Sequence, residues 1–282
     1  MKKLKYLLCP MLILCFCFVF AACGEHEHTF ESKWTYDDLH HWHAATCEHS
    51  ELKDGYAIHE DSNEDGMCDV CMYGAKVVVG NTNYASLELA VENAIAGSTV
   101  ILHENFDLST GIEVTKNITI NLNGKNISIT SDTEGCGVFW VKTGGKLTIN
   151  GNGIINGLGN NPYSIAIWAD GGEVVINGGT YTNVGASSSF DSNHFDLIYV
   201  KNGGKVTING GTFKCETPKW TLNSHDTLVG TIDVKGGIFE EFDPSNADTE
   251  PGGAVNLVED GYKVVSSEVD DVTYYTVVAD AE

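Results

Sequence analysis

Cys68 and Cys71 stand two residues apart, and Cys47 and His59 lie upstream of them. A Cys-x-x-Cys pair lets two thiolates grip one ion from a single knuckle, and structural zinc wants four nitrogen or sulfur donors in a tetrahedron. The expected centre is one structural zinc held by Cys47, His59, Cys68 and Cys71. His43 or His49 can stand in for His59 as ligand. A disulfide is the competing chemistry in an oxidising compartment, closing Cys68 on Cys71 or either of them on Cys47. The need for a staple is physical, because a segment of about 50 residues buries too little core to hold itself together. Seven of the ten histidines fall between His26 and His59, more than one centre requires, and the surplus reads as surface. Asp61, Asn63, Asp65 and Gly66 copy the start of a calcium loop. The twelfth position is Met72 where calcium needs a bidentate Glu, so this stretch reads as a side-chain-stabilised turn.

A second set of residues offers binding chemistry. Asp191, His194, Trp220, His225 and Asp226 fall in irregular stretches between apolar segments. An indole gives a sugar ring a stacking surface, and carboxylates and imidazoles bond its hydroxyls. The bland reading of Trp220 is that it packs down and pins its own loop. Lys142, Lys146, Lys201 and Lys205 flank Gly-Gly pairs. They read as solvated edge charges that discourage sheet pairing.

The N-terminus supplies an address. Three lysines precede an apolar run from Leu7 to Phe20 and the small residues Ala21-Ala22, the order of a secretory signal. The run is shorter than the roughly 20 residues a membrane-spanning helix needs. Phe20-Ala21-Ala22-Cys23 resembles the lipobox of bacterial lipoproteins, with Phe where that motif usually has Leu. The resemblance implies that Cys23 receives the lipid and becomes the new N-terminus. It also implies a protein tethered to the cell membrane on the extracytoplasmic face. The first 22 residues carry three of the 16 lysines and no acid. The chain from Cys23 onward therefore has 13 lysines against 39 acids, a formal charge of −26, and no arginine at all. Such a balance, with no basic stripe, excludes nucleic acid and anionic lipid surfaces as partners.

These side chains must be positioned by short strands, because glycine is abundant at 31 and proline rare at 5. Leu122-Asn123-Gly124 recurs as Ile149-Asn150-Gly151, Ile176-Asn177-Gly178, Ile208-Asn209-Gly210 and Val234-Lys235-Gly236. Gly144-Gly145, Gly171-Gly172 and Gly203-Gly204 precede three of these. Each unit reads as strand, glycine turn, strand, Asn-Gly turn, strand, which is one coil of a right-handed parallel β-helix. Alternation places Leu147 and Ile149, Val174 and Ile176, Val206 and Ile208, and Ile232 and Val234 inward. Ile127, Ile154, Tyr181, Phe213 and Phe239 form a second expected inward column, and Asn123, Asn150, Asn177 and Asn209 an amide ladder. Residues 87, 90, 91, 94 and 95 are apolar at helical spacing between Ser86 and Gly97, predicting a capping helix. Tyr262–Val265 and Thr273–Val278 read as a closing hairpin. Cys136 and Cys215 fall three coils apart, about 14 Å, too far to pair.

Residues 75–282 resemble the pectin-lyase-like β-helix superfamily, and residues 23–74 resemble the Cys/His-rich, zinc-ribbon-like modules found beside the lipid anchor of bacterial surface proteins. The resemblance implies an all-β fold of three parts: signal peptide 1–22, Cys/His module 23–74 and β-helix 75–282. It implies less about activity, since the superfamily holds lyases, hydrolases, adhesins and stalks. Its lyases commonly use an arginine base, which this chain lacks. Its galacturonan hydrolases use Asn-Thr-Asp, Asp-Asp and His-Gly motifs, and here only Asp37-Asp38 and Asp270-Asp271 occur, outside the repeats. The expectation is a non-catalytic surface protein that binds a glycan or another surface protein. A polysaccharide lyase or glycoside hydrolase with a divergent site is the alternative.

Overall fold

A computed structural model describes residues 27–63, 66–129, 137–158, 165–185 and 195–280. The chain divides into two compact units. One takes in the N-terminal chain as far as Ser62 together with Cys68–Tyr73, and the other takes in Asn63–Met67 and Gly74–Glu282.

The first unit is an antiparallel meander of Phe30–Tyr36, His40–Ala45 and Lys53–Ile58. Asp37 makes the first hairpin turn, its carboxylate accepting from the backbone N–H groups of Leu39 (2.9 Å) and His40 (2.7 Å). No apolar core forms here. Among the described residues of this unit, the buried side chains are His41, Cys68 and Cys71.

The second unit is a parallel β-solenoid with three strands to a coil. Ser98–Leu102, Asn117–Asn121, Lys146–Asn150, Glu173–Ile176, Lys205–Ile208 and Thr231–Val234 stack as one face. Phe106–Leu108, Ile127–Ile129, Ile154–Asn156, Thr180–Thr182, Thr212–Lys214 and Gly237–Glu240 stack as the second. Ile112–Val114, Phe139–Lys142, Ile167–Asp170, Ile198–Lys201 and Leu222–Ser224 stack as the third. The first-face columns fall as alternation requires: Leu147, Val174, Val206 and Ile232 pair in register, as do Ile149, Ile176, Ile208 and Val234. All lie in one continuous core. Inside the second face Tyr181, Phe213 and Phe239 stack ring on ring, at 5.0 and 4.7 Å and 9°.

Two register expectations are corrected. Ile127 pairs with Ile155, and Ile155 with Tyr181, so Ile155 is the buried member while Ile154 is exposed. Asn150 pairs with Asn121 rather than Asn123. The cause is the corner between the first two faces. It takes residues 122–126 in one coil, 151–154 in the next and 178–180 in the one after, so equal spacing in sequence is not equal register. Asn150, Asn177 and Asn209 do form the ladder, Asn177 Nδ2 donating to Asn150 (2.7 Å) and Asn209 Nδ2 to Asn177 (2.8 Å). Leu122, displaced into the longest corner, is fully buried and fills space above glycines of the later coils.

The Gly-Gly pairs have a divided purpose. Gly144, Gly171 and Gly203 have positive φ (87°, 75° and 73°), which glycine tolerates best. Their followers make room for the preceding coil. A Cβ on Gly145 would lie 2.3 Å from the Val114 carbonyl oxygen, on Gly172 2.5 Å from that of Lys142, and on Gly204 2.3 Å from that of Ala169.

Both ends are closed. Helix Leu87–Asn93 is capped by Ser86 Oγ, which accepts from the Leu89 N–H (3.2 Å), and it buries Leu87, Ala90 and Val91 in the solenoid core. It ends before Ile95, which is 77% exposed. A hairpin of Val77–Val79 and Thr82–Tyr84 pairs antiparallel onto Ser98–Leu102. At the other end Tyr262–Val269 and Val272–Ala279 form the expected hairpin, and its second strand pairs antiparallel with Gly237–Glu240.

Candidate metal centre and ligand face

His41, His59, Cys68 and Cys71 bring their donor atoms within 4.8 Å of one another. His41 comes from the second strand of the meander, His59 from just beyond the third, and the cysteines from the knuckle after it. The knuckle is a tight backbone turn: the Cys68 N–H donates to the Tyr73 carbonyl (2.8 Å), the Met72 N–H donates to the Cys68 carbonyl (3.0 Å), and Met72 has φ of 60°. His59 Nδ1 lies 3.4 Å from Cys71 Sγ, and His41 Nδ1 3.7 Å from Cys68 Sγ. A zinc tetrahedron with Zn–N near 2.0 Å and Zn–S near 2.3 Å sets neighbouring donors about 3.5 Å apart. The spacing and the donor types fit.

The surroundings orient these donors. His59 Nε2 is 2.9 Å from the Asp37 carbonyl oxygen, so it carries the proton and donates, leaving the Nδ1 lone pair toward the cysteines. Tyr73 stacks on the same ring at 4.4 Å and 5°, and its hydroxyl donates to Asp38 (3.1 Å). Trp34 stands edge-on to His41 at 4.7 Å. Burial works against ionising Cys68, but the backbone N–H groups of Cys71 and Val70, with His59, outweigh it and bring the thiol down to about 6. Burial raises Cys71, and the neighbouring Cys68 thiolate adds to that. Desolvation works against the His59 cation, yet the Asp37 carbonyl and Cys68 raise its proton affinity overall.

Three of the four expected ligands thus come together, and His41 stands where Cys47 was expected. Cys47 lies in another group, with His28 and His49. Strand alternation is the reason. His41 is the buried position of the His40–Ala45 strand, whereas Cys47 lies past the far end of that strand. The sequence signal that could have found His41 is the run His40-His41-Trp42-His43, in which only one face of the strand can meet the knuckle.

On the solenoid, Asp191 and His194 lie outside the described residues, as do Cys23 and Cys136. Trp220 ends the short turn Pro218–Trp220, half-buried, with the Lys219 ammonium 4.6 Å above its ring. His225 and Asp226 do meet, His225 Nδ1 lying 2.8 Å from the Asp226 carboxylate, and Glu250 joins them. The same Nδ1 faces the N–H groups of Thr227 (3.1 Å) and Leu228 (3.2 Å). Those bonds make it an acceptor, so the neutral ring with the proton on Nε2 satisfies more partners than a cation would.

Sequence reasoning missed the residues beside this trio. Trp140, Trp168 and Tyr199 are neighbours on successive strands of the third face, and they point outward. Trp140 and Trp168 stack at 5.2 Å and 19°. Asp170 accepts from Trp140 Nε1 (3.0 Å), while Lys142 and Lys201 place ammonium groups 3.4 and 4.2 Å over Trp140 and Trp168. At the foot of the column Asn223 donates to both Asp196 (2.7 Å) and Glu250 (3.2 Å), and Tyr199 donates to Glu250 (3.3 Å). Burial pushes the Asp196 carboxyl up to about 7, with the Glu250 charge adding to it and the Asn223 bond opposing it. The recoverable signal was an aromatic between two apolar residues just ahead of each Gly turn. No family model, curated protein or solved structure matches the chain.

Proposed function

We propose that this chain is a lipid-anchored, extracytoplasmic protein that binds a glycan on the third face of its solenoid without cutting it. Its head is pinned by a structural zinc on His41, His59, Cys68 and Cys71. The observation that carries the binding reading is the outward column Trp140, Trp168 and Tyr199, which runs down to the carboxylates Glu250 and Asp226 and to His225. Trp168 and Tyr199 are only 6% and 8% exposed. Half-buried Trp140 is therefore the ring open to a sugar, and the carboxylate end supplies acceptors for its hydroxyls. A panel of pectins, alginates, glycosaminoglycans and mucin glycans, read for both binding and product release, is the test. Trp140→Ala should weaken a bound glycan by about 5- to 100-fold, the scale of one lost aromatic contact. Trp220→Ala, in the loop singled out by the sequence, should leave it nearly unchanged. Equal binding by wild type and Trp140→Ala would move the site off this face. One observation favours a polysaccharide-cleaving enzyme instead: Asp196 titrates near neutrality, as a proton donor must. Release of unsaturated or reducing-end sugars above a heat-killed control would select that reading.

The zinc reading rests on burial. The buried residues of the head, among those described, are three of the four donors. Cys68→Ser should abolish metal binding at this centre, and chelator should unfold the head while the solenoid keeps its circular dichroism. A Cys68–Cys71 disulfide with no bound metal in purified protein would refute it.

A further inference from the structure

We propose that the head holds a second metal ion, at His28, Cys47 and His49, so that one short β-sheet is pinned by metal at both ends. The three donor atoms lie within 4.8 Å of one another, with His28 Nδ1 3.5 Å from Cys47 Sγ and His49 Nδ1 4.0 Å from it. These separations approach the spacing of about 3.5 Å that a tetrahedral zinc-class ion imposes on neighbouring donors.

The register of the sheet makes the group. Phe30 pairs with Ala45, and the next step of the antiparallel ladder sets Thr29 against Thr46. The Thr46 N–H donates to the Thr29 carbonyl (2.8 Å), the Thr46 hydroxyl donates to the same oxygen (3.0 Å), and the two hydroxyls meet at 2.5 Å. One step further the ladder sets His28 against Cys47. His49 comes two residues later, and its ring stands edge-on to His28 at 5.1 Å. The Leu52 N–H donates to the His49 carbonyl (3.0 Å), closing the turn that carries His49. Two imidazoles and a thiolate suit zinc or a softer ion such as copper(I). Three protein donors leave a fourth position for water or an outside donor, unlike the four-donor centre at the other end. Glu27, Glu48 and Glu51 are exposed around the group and favour cation approach. The His40–Ala45 strand is common to both centres. It carries His41 and runs out to Cys47, six residues and about 20 Å away at the rise of an extended strand.

The test uses the mature full-length protein, loaded with zinc alone or with cobalt(II) as a spectroscopic probe, and counted by elemental analysis and native mass spectrometry. Wild type should bind two ions. Cys47→Ser and His49→Ala should each bind one and keep the cobalt–thiolate absorption of the two-cysteine centre. Cys68→Ser should also bind one, leaving the weaker single-thiolate absorption. The inference rests on the centre at Cys68 and Cys71 only for its fold, and the arms keep the two apart. One ion in wild type that survives Cys47→Ser overturns the second site and leaves the first standing. One ion lost in both Cys47→Ser and Cys68→Ser overturns the second site and makes Cys47 a ligand of a single centre. Two ions in wild type and in Cys47→Ser place the second ion elsewhere and overturn the assignment.

Discussion

Cys68 and Asp196 are buried acids whose proton affinities move in opposite directions, and the difference is one of partners. Backbone N–H groups converge on Cys68 and hold its thiolate. Asp196 is offered one amide donor and a neighbouring carboxylate. The consequence for stability has a definite sign. The folded state raises the Asp196 pKa from 3.8 to about 7, so folding favours its protonated form. Below the unfolded value both states are protonated and burial costs nothing. As pH rises toward 7 the unfolded chain sheds the proton first, and the folded state loses stability, on the order of 4 kcal/mol by linkage. Asp196→Asn keeps an oxygen to accept the Asn223 bond and removes the charge. It should raise the melting temperature at pH 8 and leave it nearly unchanged at pH 4. A variant no more stable than wild type at pH 8 would show that the carboxylate is compensated by something other than protonation.

At the scale of the element, alternation decides what is legible in the sequence. Leu147 and Ile149, and their counterparts in later coils, fall inward because a one-residue slip would turn each strand inside out. Corner lengths obey no such rule. Ile154 and Asn123 were therefore misplaced by one and two residues, where a corner of five residues gives way to four and then three. The metal knuckle was legible from Cys68 and Cys71, but the partner strand's register was not, so His41 went unseen. Packing between coils sets the cost of two substitutions. Gly204→Ala puts a methyl 2.3 Å from the Ala169 carbonyl oxygen, backbone that cannot step aside. It should destabilise by roughly 2 kcal/mol or more, of the order of overpacking a tight interior, whereas Gly124→Ala meets no neighbour within 4 Å and pays chiefly for its φ of 75°. Phe213 lies between Tyr181 and Phe239, so Phe213→Ala should cost about 3–5 kcal/mol in denaturant unfolding. A cost below about 1 kcal/mol would mean that the two flanking rings close the gap.

For the whole molecule, the governing fact is that a solenoid's ends are its hazard. The capping helix and the closing hairpin were both visible in the sequence, the first as helical spacing after Ser86, the second as two β-branched runs around Asp270-Asp271. The additional hairpin Val77–Tyr84 was not, because its strands are only three residues each. Removing residues 262–282 should uncover the Gly237–Glu240 strand and drive self-association, seen by light scattering, at concentrations where the full chain is monodisperse. Cys23→Ser should move the protein from the membrane fraction to a soluble or uncleaved form, and unchanged globomycin-insensitive processing would remove the anchor from the account.

The Trp140–Trp168 pair has one more consequence, an optical one. Two indoles held 5.2 Å apart and nearly parallel on successive coils share their excited states. Such coupling produces a paired positive and negative band in the circular dichroism of the aromatic region, whose size depends steeply on separation and angle. The chain thus carries its own ruler across one coil boundary. Slippage between those two coils should erase the couplet while the strand signal of the backbone is still intact, and a ligand seated on Trp140 should change it without any label being attached.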